Sequence, residues 1–479
     1  MRKRKLAIVG NGMGTCRLLD ELALRGAAQR YEITVFGEER GGAYNRILLG
    51  RVLEGEAPDA IVTKPVPWYE RHDVGLVDGV TVTRLDARQK CLETNDGGRH
   101  SYDVAVLATG SQPLVPALEG MTVAGGELRP GVFVYRTIHD CLRLRERARP
   151  GDGAIVVGGG LLGLEAAKVL SDRGLHVTIV DVAPILMPAQ LDALGGEMLC
   201  RQIERYGIFV RTGRTVEAVY GSGERVEGLV LDDGATLPTD MVILACGVRP
   251  RVDLARASGL PVNRGIVVND TLATEVPGVY AFGECAEHDG KTYGLVAPAW
   301  EQAAVLADVL TGANPQARYR GSKLYTRLKV AGVDVASMGC KAGELEGDEV
   351  VQILEERRNS YRKLIVRGGR LVGAMLVGNT AASASLVQLF DRGDPLPEDP
   401  LELFLSSRAS AAPKDRLVCN CHKVTESAIG EAIAAGATSV EAIGTATKAG
   451  TGCGSCKSEL AQLLPRTAKP VLLPVLAAS

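Results

Sequence analysis

What this sequence withholds narrows its function before any motif is read. Its net charge is only −2, so it lacks the basic footprint of a nucleic-acid-binding surface. No uninterrupted apolar run reaches the ~20 residues that cross a bilayer. The basic start Met1-Arg2-Lys3-Arg4-Lys5 runs straight into a strand at residues 6–9, without the apolar stretch and cleavage site of a signal peptide. These absences predict a cytoplasmic protein with neither nucleic acid nor membrane as a partner. Cysteine is dispersed rather than paired. Seven of the 11, Cys16, Cys91, Cys141, Cys200, Cys246, Cys285 and Cys340, are scattered, and a reducing compartment keeps such thiols free and structural.

What is present begins with length. A chain of 479 residues exceeds one hydrophobic core and points to three or four domains. Its 57 glycines suit backbone that must approach phosphates. Residues 6–9 read as a buried strand, followed by Gly10-Asn11-Gly12-Met13-Gly14-Thr15 and an apolar-periodic helix from about Cys16 to Arg25. A second strand at 32–36 ends at Gly37-Glu38-Glu39. In such a βαβ unit, Gly10 permits the tight turn and Gly12 lets a pyrophosphate approach the backbone at a helix N-terminus. Glu38 is the first choice for the adenosine ribose. The third glycine position holds Thr15, so packing there must accept a larger side chain.

A second fingerprint is complete. A strand at 154–157 runs into Gly158-Gly159-Gly160-Leu161-Leu162-Gly163, and the next strand, 176–180, ends at Asp181. That acid lies about 20 residues past the turn, where it hydrogen-bonds a ribose 2′-OH and repels a 2′-phosphate. No arginine follows at 182–184, so NADH is expected over NADPH.

Further segments resemble the recurring motifs of two-dinucleotide flavoprotein reductases: Ala108-Thr109-Gly110 after a strand at 104–107, and Gly283-Glu284 after a strand at 279–282. The resemblance implies FAD at the first fingerprint, with Glu284 near the ribityl chain where relatives have aspartate. A helix from about Pro298 through Gln302 would point its N-terminus at the flavin, with Ala297 just before it. Residues 245–250, including Gly247, resemble the strand that returns the chain to the flavin domain. Many relatives carry a redox cysteine after the first βαβ unit, but residues 41–51 hold none, which disfavours disulfide and peroxide chemistry. The same stretch, with Asn45, Arg46 and Arg51, resembles the Tyr-Asp-Arg-x-x-Leu-Ser-Lys segment of reductases serving rubredoxin, ferredoxin and nitrite. In that family the lysine lies near flavin N5 and faces a glutamate. The matching Arg51 and Glu165 are therefore expected to pair at the hydride-transfer locus, as the catalytic candidates. The alternative is an exposed pair that tunes nothing.

After about residue 318 the chain changes. Residues 323–336 and 361–376 suggest strands of a small α+β domain resembling the C-terminal interface domain of those reductases. A Pro- and Ser-rich passage ending at 406–414 reads as a linker. Cys419-Asn420-Cys421 and Cys453-Gly454-Ser455-Cys456 follow, with 31 residues between the pairs. Four thiolates so spaced can hold a [2Fe–2S] cluster, with zinc as the alternative. The pattern resembles the domain of bacterioferritin-associated ferredoxin. His422 reads as a neighbour of the cluster or a solvated side chain, helices are expected from Thr425 to about Ala435 and after Cys456, and the tail 466–479 as packing or fraying.

The whole resembles the NADH-oxidising half of nitrite reductase large subunits, without their later half, and free-standing chains of this layout resemble the electron-transfer subunit of assimilatory nitrate reductase. The expected fold class is α/β: two nested Rossmann-like domains, FAD-binding (1–118 and 250–317) and NAD(H)-binding (119–249), then an α+β interface domain (318–405), a linker (406–416), a helical [2Fe–2S] domain (417–465) and a tail. The resemblance implies electron flow from NADH through FAD and [2Fe–2S] to a molybdenum-containing nitrate reductase catalytic subunit. A separate sirohaem nitrite reductase, a rubredoxin or ferredoxin, and a non-catalytic redox-sensing or iron-delivery role stay open, as does homo-oligomerisation.

Overall fold

The structure is a computed structural model that describes residues 2–223, 225–330, 332–405, 415, 417–419, 422–452 and 456–464. It divides into two compact units, one of residues 1–380 with 389–396, the other of residues 381–388 with 397–479.

The first unit repeats one architecture twice. In the first sheet, strands Val279–Ala281, Val104–Leu107, Arg4–Val9, Tyr31–Gly37 and Val74–Asp78 lie side by side in that order. In the second, the order is Val132–Val134, Met241–Leu244, Gly153–Val157, His176–Asp181 and Phe209–Thr212. Every pair in both sheets is parallel. Parallel strands need helical crossovers on both faces, hence the nearly continuous apolar runs of Leu6–Val9 and Val104–Leu107. The chain passes between the halves along Ser111–Pro113 and Val248–Pro250, which pair antiparallel. The expected return strand at 245–250 is shorter than its sequence suggests. Residues 245–247 form a turn in which Gly247 takes φ 105°, a conformation that only glycine adopts without strain.

The first helix also departs from expectation. It spans Met13–Leu24, three residues earlier than the apolar period indicates, because Gly12 is itself the N-cap. The turn flows into the helix with no intervening loop. The helix near the second flavin motif is longer than foreseen, Val296–Thr311. Pro298 lies in its first turn, where a missing N–H costs nothing.

Strands Tyr325–Val330, Val333–Gly339, Arg370–Val377, Ser360–Arg367 and Glu349–Glu355 form an antiparallel sheet in that order. Its Val333, Val335, Tyr361 and Val377 enter the same apolar core as Leu164, Leu186 and Met187 of the second half. The flavin half has a core of its own.

In the second unit, helices Glu426–Ala434, Val440–Thr447 and Lys457–Leu463 pack around Ile429, Ile443 and Leu460. Thr425 caps the first of them by accepting from Ala428 N at 3.4 Å. The middle helix is absent from the sequence reading. Ser439 caps it, but its eight residues give too short a periodic signal. Residues 381–388 and 397–405 belong to this unit, whereas the sequence assigns them to the interface domain. There Leu386, Val387 and Gln388 are buried, and Gln388 Nε2 lies 3.5 Å from Leu417 O. Apart from Asp415, the expected linker at 406–416 lies outside the described residues, as does the tail 466–479.

Thr15 and Gly163 occupy equivalent positions in the two halves. The Thr15 hydroxyl donates to Gly10 O at 2.7 Å, so a side chain fits there by bonding the turn. A Cβ on Gly163 would fall 1.9 Å from Gly158 O. Gly163→Ala is therefore expected to destabilise the fold by about 1–3 kcal/mol through overpacking, read as a lowered thermal midpoint.

Candidate functional site

The two glycine turns are built alike at the switch points of their sheets. Gly10 N donates to Phe36 O and Ala108 N to Val9 O, both at 2.8 Å. Gly158 N donates to Val180 O and Ala245 N to Val157 O, again at 2.8 Å. A Cβ on Gly10 would lie 2.1 Å from Ala108 O, and one on Gly158 2.3 Å from Ala245 O. Gly12 and Gly160, by contrast, face open space and cap their helices with no side-chain hydrogen bond. Met13 and Gly14 open the first helix, and Leu161 and Leu162 the second. Their first N–H groups are thus left for an anion.

The acid after the second strand behaves differently in each half. Asp181 accepts from Gly159 N and, at 2.7 Å, from Ala183 N. It stands at the rim of its own turn. Glu38 instead pairs with Arg251, and a ribose there would share it. Glu39, not singled out in the sequence, accepts from Tyr44 OH at 2.7 Å and Arg46 Nη2 at 2.8 Å. Asn45 is buried and its side chain accepts from Ile47 N at 3.1 Å.

Around the second flavin motif the structure adds residues that the sequence did not reveal. Arg136 Nη2 reaches Glu284 Oε2 at 2.5 Å and Ser111 Oγ at 2.6 Å, and Arg46 Nη1 donates to Arg136 O at 2.5 Å. Gly283 N donates to Gln302 at 2.7 Å. Thr109 bonds Arg251 O at 2.6 Å, and Gly110 turns the chain with φ 69°. Ala297 sits in the first turn of Val296–Thr311, whose N-cap, Leu295, offers no side-chain bond. The only local signal for Arg136 is its place before the capping box of Thr137 and Asp140. Among the described residues, the buried donors Asn11 Nδ2 and Arg136 Nε have no hydrogen-bond partner. Orphan donors beside an uncapped helix suit a dinucleotide rich in acceptors, so the residues fit FAD.

The expected pairing of Arg51 with Glu165 is not formed. Arg51 binds Glu56 through two bonds, Nε–Oε1 at 2.8 Å and Nη2–Oε2 at 2.7 Å. The chain reverses at Gly55, and Glu56 N donates to Arg51 O at 2.9 Å. A partner five residues away needs little loop closure, so it captures the guanidinium first. Glu165 is left with an acid for a neighbour. Burial, and then the Glu54 charge, pushes its carboxyl up to about 7. The Tyr135 hydroxyl, whose ionisation is likewise opposed by burial, Cys141, Glu165 and Glu54, is buried without a partner.

In the second unit, Cys419 and Cys456 are buried in one small core. Cys421 and Cys453 lie outside the described residues. His422 Nε2 is 3.3 Å from Thr451 Oγ1, joining the segments that follow the first and precede the second cysteine pair.

A pyridine nucleotide-disulphide oxidoreductase family model matches residues 4–303. The chain belongs to that family. A rubredoxin NAD+ reductase C-terminal domain matches residues 325–393, and a BFD-like [2Fe-2S] binding domain matches 417–466. The chain is 38% identical to the nitrite reductase [NAD(P)H] of Bacillus subtilis, over 98% of this chain and 58% of that protein. It is 36% identical to the nitrite reductase (NADH) large subunit of Escherichia coli, over 97% and 56%. The assimilatory nitrate reductase electron transfer subunit of Bacillus subtilis is 36% identical, over 97% and 60%. The chain thus spans a little under two thirds of these relatives. The fold is similar to that of a ferredoxin reductase from Rhodopseudomonas palustris, with TM-score 0.73 and 26% identity over 82% of this chain and 96% of that one. Family and domain together make FAD, a nicotinamide dinucleotide and a [2Fe–2S] cluster its cofactors. Among the described residues, no helix is long and apolar enough to cross a membrane.

Glu165 makes stability depend on pH. The folded chain keeps its proton up to about 7, while the unfolded chain releases it near 4.5. Between these values the native state binds more protons, so stability falls as pH rises. Glu165→Gln removes this slope, a difference on the order of 3 kcal/mol at pH 8 relative to pH 4. Denaturant unfolding across that range measures it, and parallel curves for both proteins would refute it.

Proposed function

We propose that this chain takes reducing equivalents from NADH and delivers them singly to the molybdenum-containing catalytic subunit of an assimilatory nitrate reductase. The observation that carries the reading is the joining, in one chain, of a reductase lacking a cysteine at 41–51 to a BFD-like domain. FAD, when bound, would accept a hydride and release its two electrons singly with the proton going to solvent, and a [2Fe–2S] cluster would carry them one at a time. This chain's residues bind and orient. The uncapped turns at Gly12 and Gly160 receive the two pyrophosphates, and Glu38 and Asp181 the two adenosine riboses. Glu284, held by Arg136 and Ser111, orients the flavin side chain. Glu165 would serve the bound flavin and nicotinamide as a proton-holding acid, and Arg51 would join it there only by leaving Glu56. Cys419, Cys421, Cys453 and Cys456 hold the cluster.

The division of labour gives 1–118 with 250–317 to flavin, 119–249 to nicotinamide, 318–380 with 389–396 to the interface and 417–465 to the cluster, in a cytoplasmic protein. The nitrate reductase partner is supported by the name of the Bacillus subtilis electron transfer subunit. A second reading, service to nitrite reduction, is favoured by the similarity to nitrite reductases. Purification of the tagged protein from nitrate-grown cells distinguishes them. A co-purifying molybdenum protein with NADH-dependent nitrate reduction supports the first reading, and a sirohaem protein supports the second.

Two variants test the route. Cys456→Ser is expected to abolish delivery to the partner while NADH still bleaches the flavin absorbance at its normal rate. Asp181→Ala should raise KM for NADH roughly 10- to 100-fold, the effect of losing a hydrogen bond to a charged group, and erase the preference over NADPH. An unchanged KM ratio for the two nucleotides would remove Asp181 from the ribose site.

A further inference from the structure

Between the strand ending at Asp181 and the helix Ala193–Glu204 runs a segment, residues 182–191, without regular secondary structure. It is bound to the second glycine turn. Met187 N donates to Gly159 O at 3.0 Å, and Asp181 accepts from both Gly159 N and Ala183 N. A Cβ on Gly159 would fall 2.5 Å from Leu186 Cδ2. Met187 takes φ 52°, a left-handed conformation that a non-glycine residue keeps only where its surroundings impose it. The placement of Asp181 and of the turn therefore depends on what holds this segment.

The C-terminal antiparallel sheet holds it. Ser337 Oγ donates to Gln190 O at 2.6 Å, and Lys341 Nζ donates to Pro188 O. At the segment's end, Asp192 Oδ1 caps the helix by accepting from Gly195 N at 3.0 Å. Its Oδ2 accepts from Tyr361 OH and Lys363 Nζ, both at 2.8 Å. Lys363 also donates to Lys341 O at 3.0 Å. Tyr361 is fully buried and Lys363 only 8% exposed. Apolar contact through Val333 and Val335 already joins the sheet to this half. A buried ammonium adds a desolvation cost that adhesion alone does not require. What it adds is geometry: directional bonds to a carboxylate and carbonyls fix the segment in one place.

We propose that the C-terminal sheet clasps residues 182–191 and so presets the Gly159 turn and Asp181 for the adenosine half of NADH, with Lys363 and Ser337 as positioning residues. The proposal rests on the reading that Asp181 binds the adenosine ribose.

The test uses the full-length, FAD-loaded protein and its Lys363→Ala, Lys363→Arg, Ser337→Ala and Asp181→Ala variants. Calorimetric titration with NAD+ gives Kd, ferricyanide reduction gives kcat and KM for NADH, and hydrogen exchange reports protection over 182–191. Lys363→Ala is expected to raise Kd and KM about tenfold, the equivalent of one lost hydrogen bond. It should leave kcat and flavin content unchanged and lower protection in the segment, and Lys363→Arg should restore most of the affinity. If Lys363→Ala does not fold, Ser337→Ala, which loses a single hydroxyl, carries the same expectation with a smaller rise. Unchanged Kd in a folded clasp variant overturns the proposal, and so does a loss of kcat and flavin without a change in Kd. If Asp181→Ala weakens NAD+ binding and the clasp variants do not, the clasp alone is wrong. If Asp181→Ala has no effect either, the ribose reading fails.

Discussion

Three of the longer helices begin with their first N–H groups unanswered by any side chain: Met13–Leu24 after Gly12, Leu161–Asp172 after Gly160, and Val296–Thr311 after Leu295. Four other described helices are closed by ordinary means, with the side chains of Thr137, Asp192, Thr425 and Ser439. A helix end left open is unfavourable unless an anion or a dipole completes it. Much of the first unit is arranged around that need. Parallel strands bring each turn to a switch point, glycines at 10 and 158 let the turn pass under a neighbouring carbonyl, and Phe282 and Ala299 crowd Gly14, bringing the first and third open ends together.

The features legible in the sequence are those set by local rules. The glycine spacings, the strands that precede them and the acid closing the second βαβ unit require particular residues at fixed offsets. Asp181 could be placed from its distance to the turn alone. The partners of charged side chains were not legible. Arg51 is bound by Glu56, five residues on, which the reversal at Gly55 brings back to it. Arg136 and Glu284 are 148 residues apart, and no periodicity links them. A helix start is hidden from the apolar pattern where a glycine turn supplies the cap, because in Met13–Leu24 the apolar period begins three residues after the helix does.

The duplicated halves also diverge in an informative way. The two backbone hydrogen bonds that flank each glycine turn have direct counterparts in the other half, yet Thr15 stands where Gly163 is obligatory. The first turn tolerates the methyl and hydroxyl because the hydroxyl bonds the Gly10 carbonyl, while the second leaves no room at all. The acid positions differ likewise: Asp181 is tied to its own turn, whereas Glu38 is paired to Arg251, more than two hundred residues on. One scaffold therefore presents two chemically distinct rims.

The distribution of the cores bears on how such a chain can be taken apart. Among the described residues, the buried core of the flavin half draws on residues between 6 and 107 and between 252 and 319. The core of the second half borrows Val333, Val335, Tyr361 and Val377 from the C-terminal sheet and Tyr44, Leu49 and Ile61 from the other side. Sequence families divide this chain by motif, but its apolar interior does not follow those lines. In a recombination between relatives, the second half and the C-terminal sheet are one heritable piece. A chimera that exchanged either alone would have to re-evolve a shared interior before it could inherit a cofactor site.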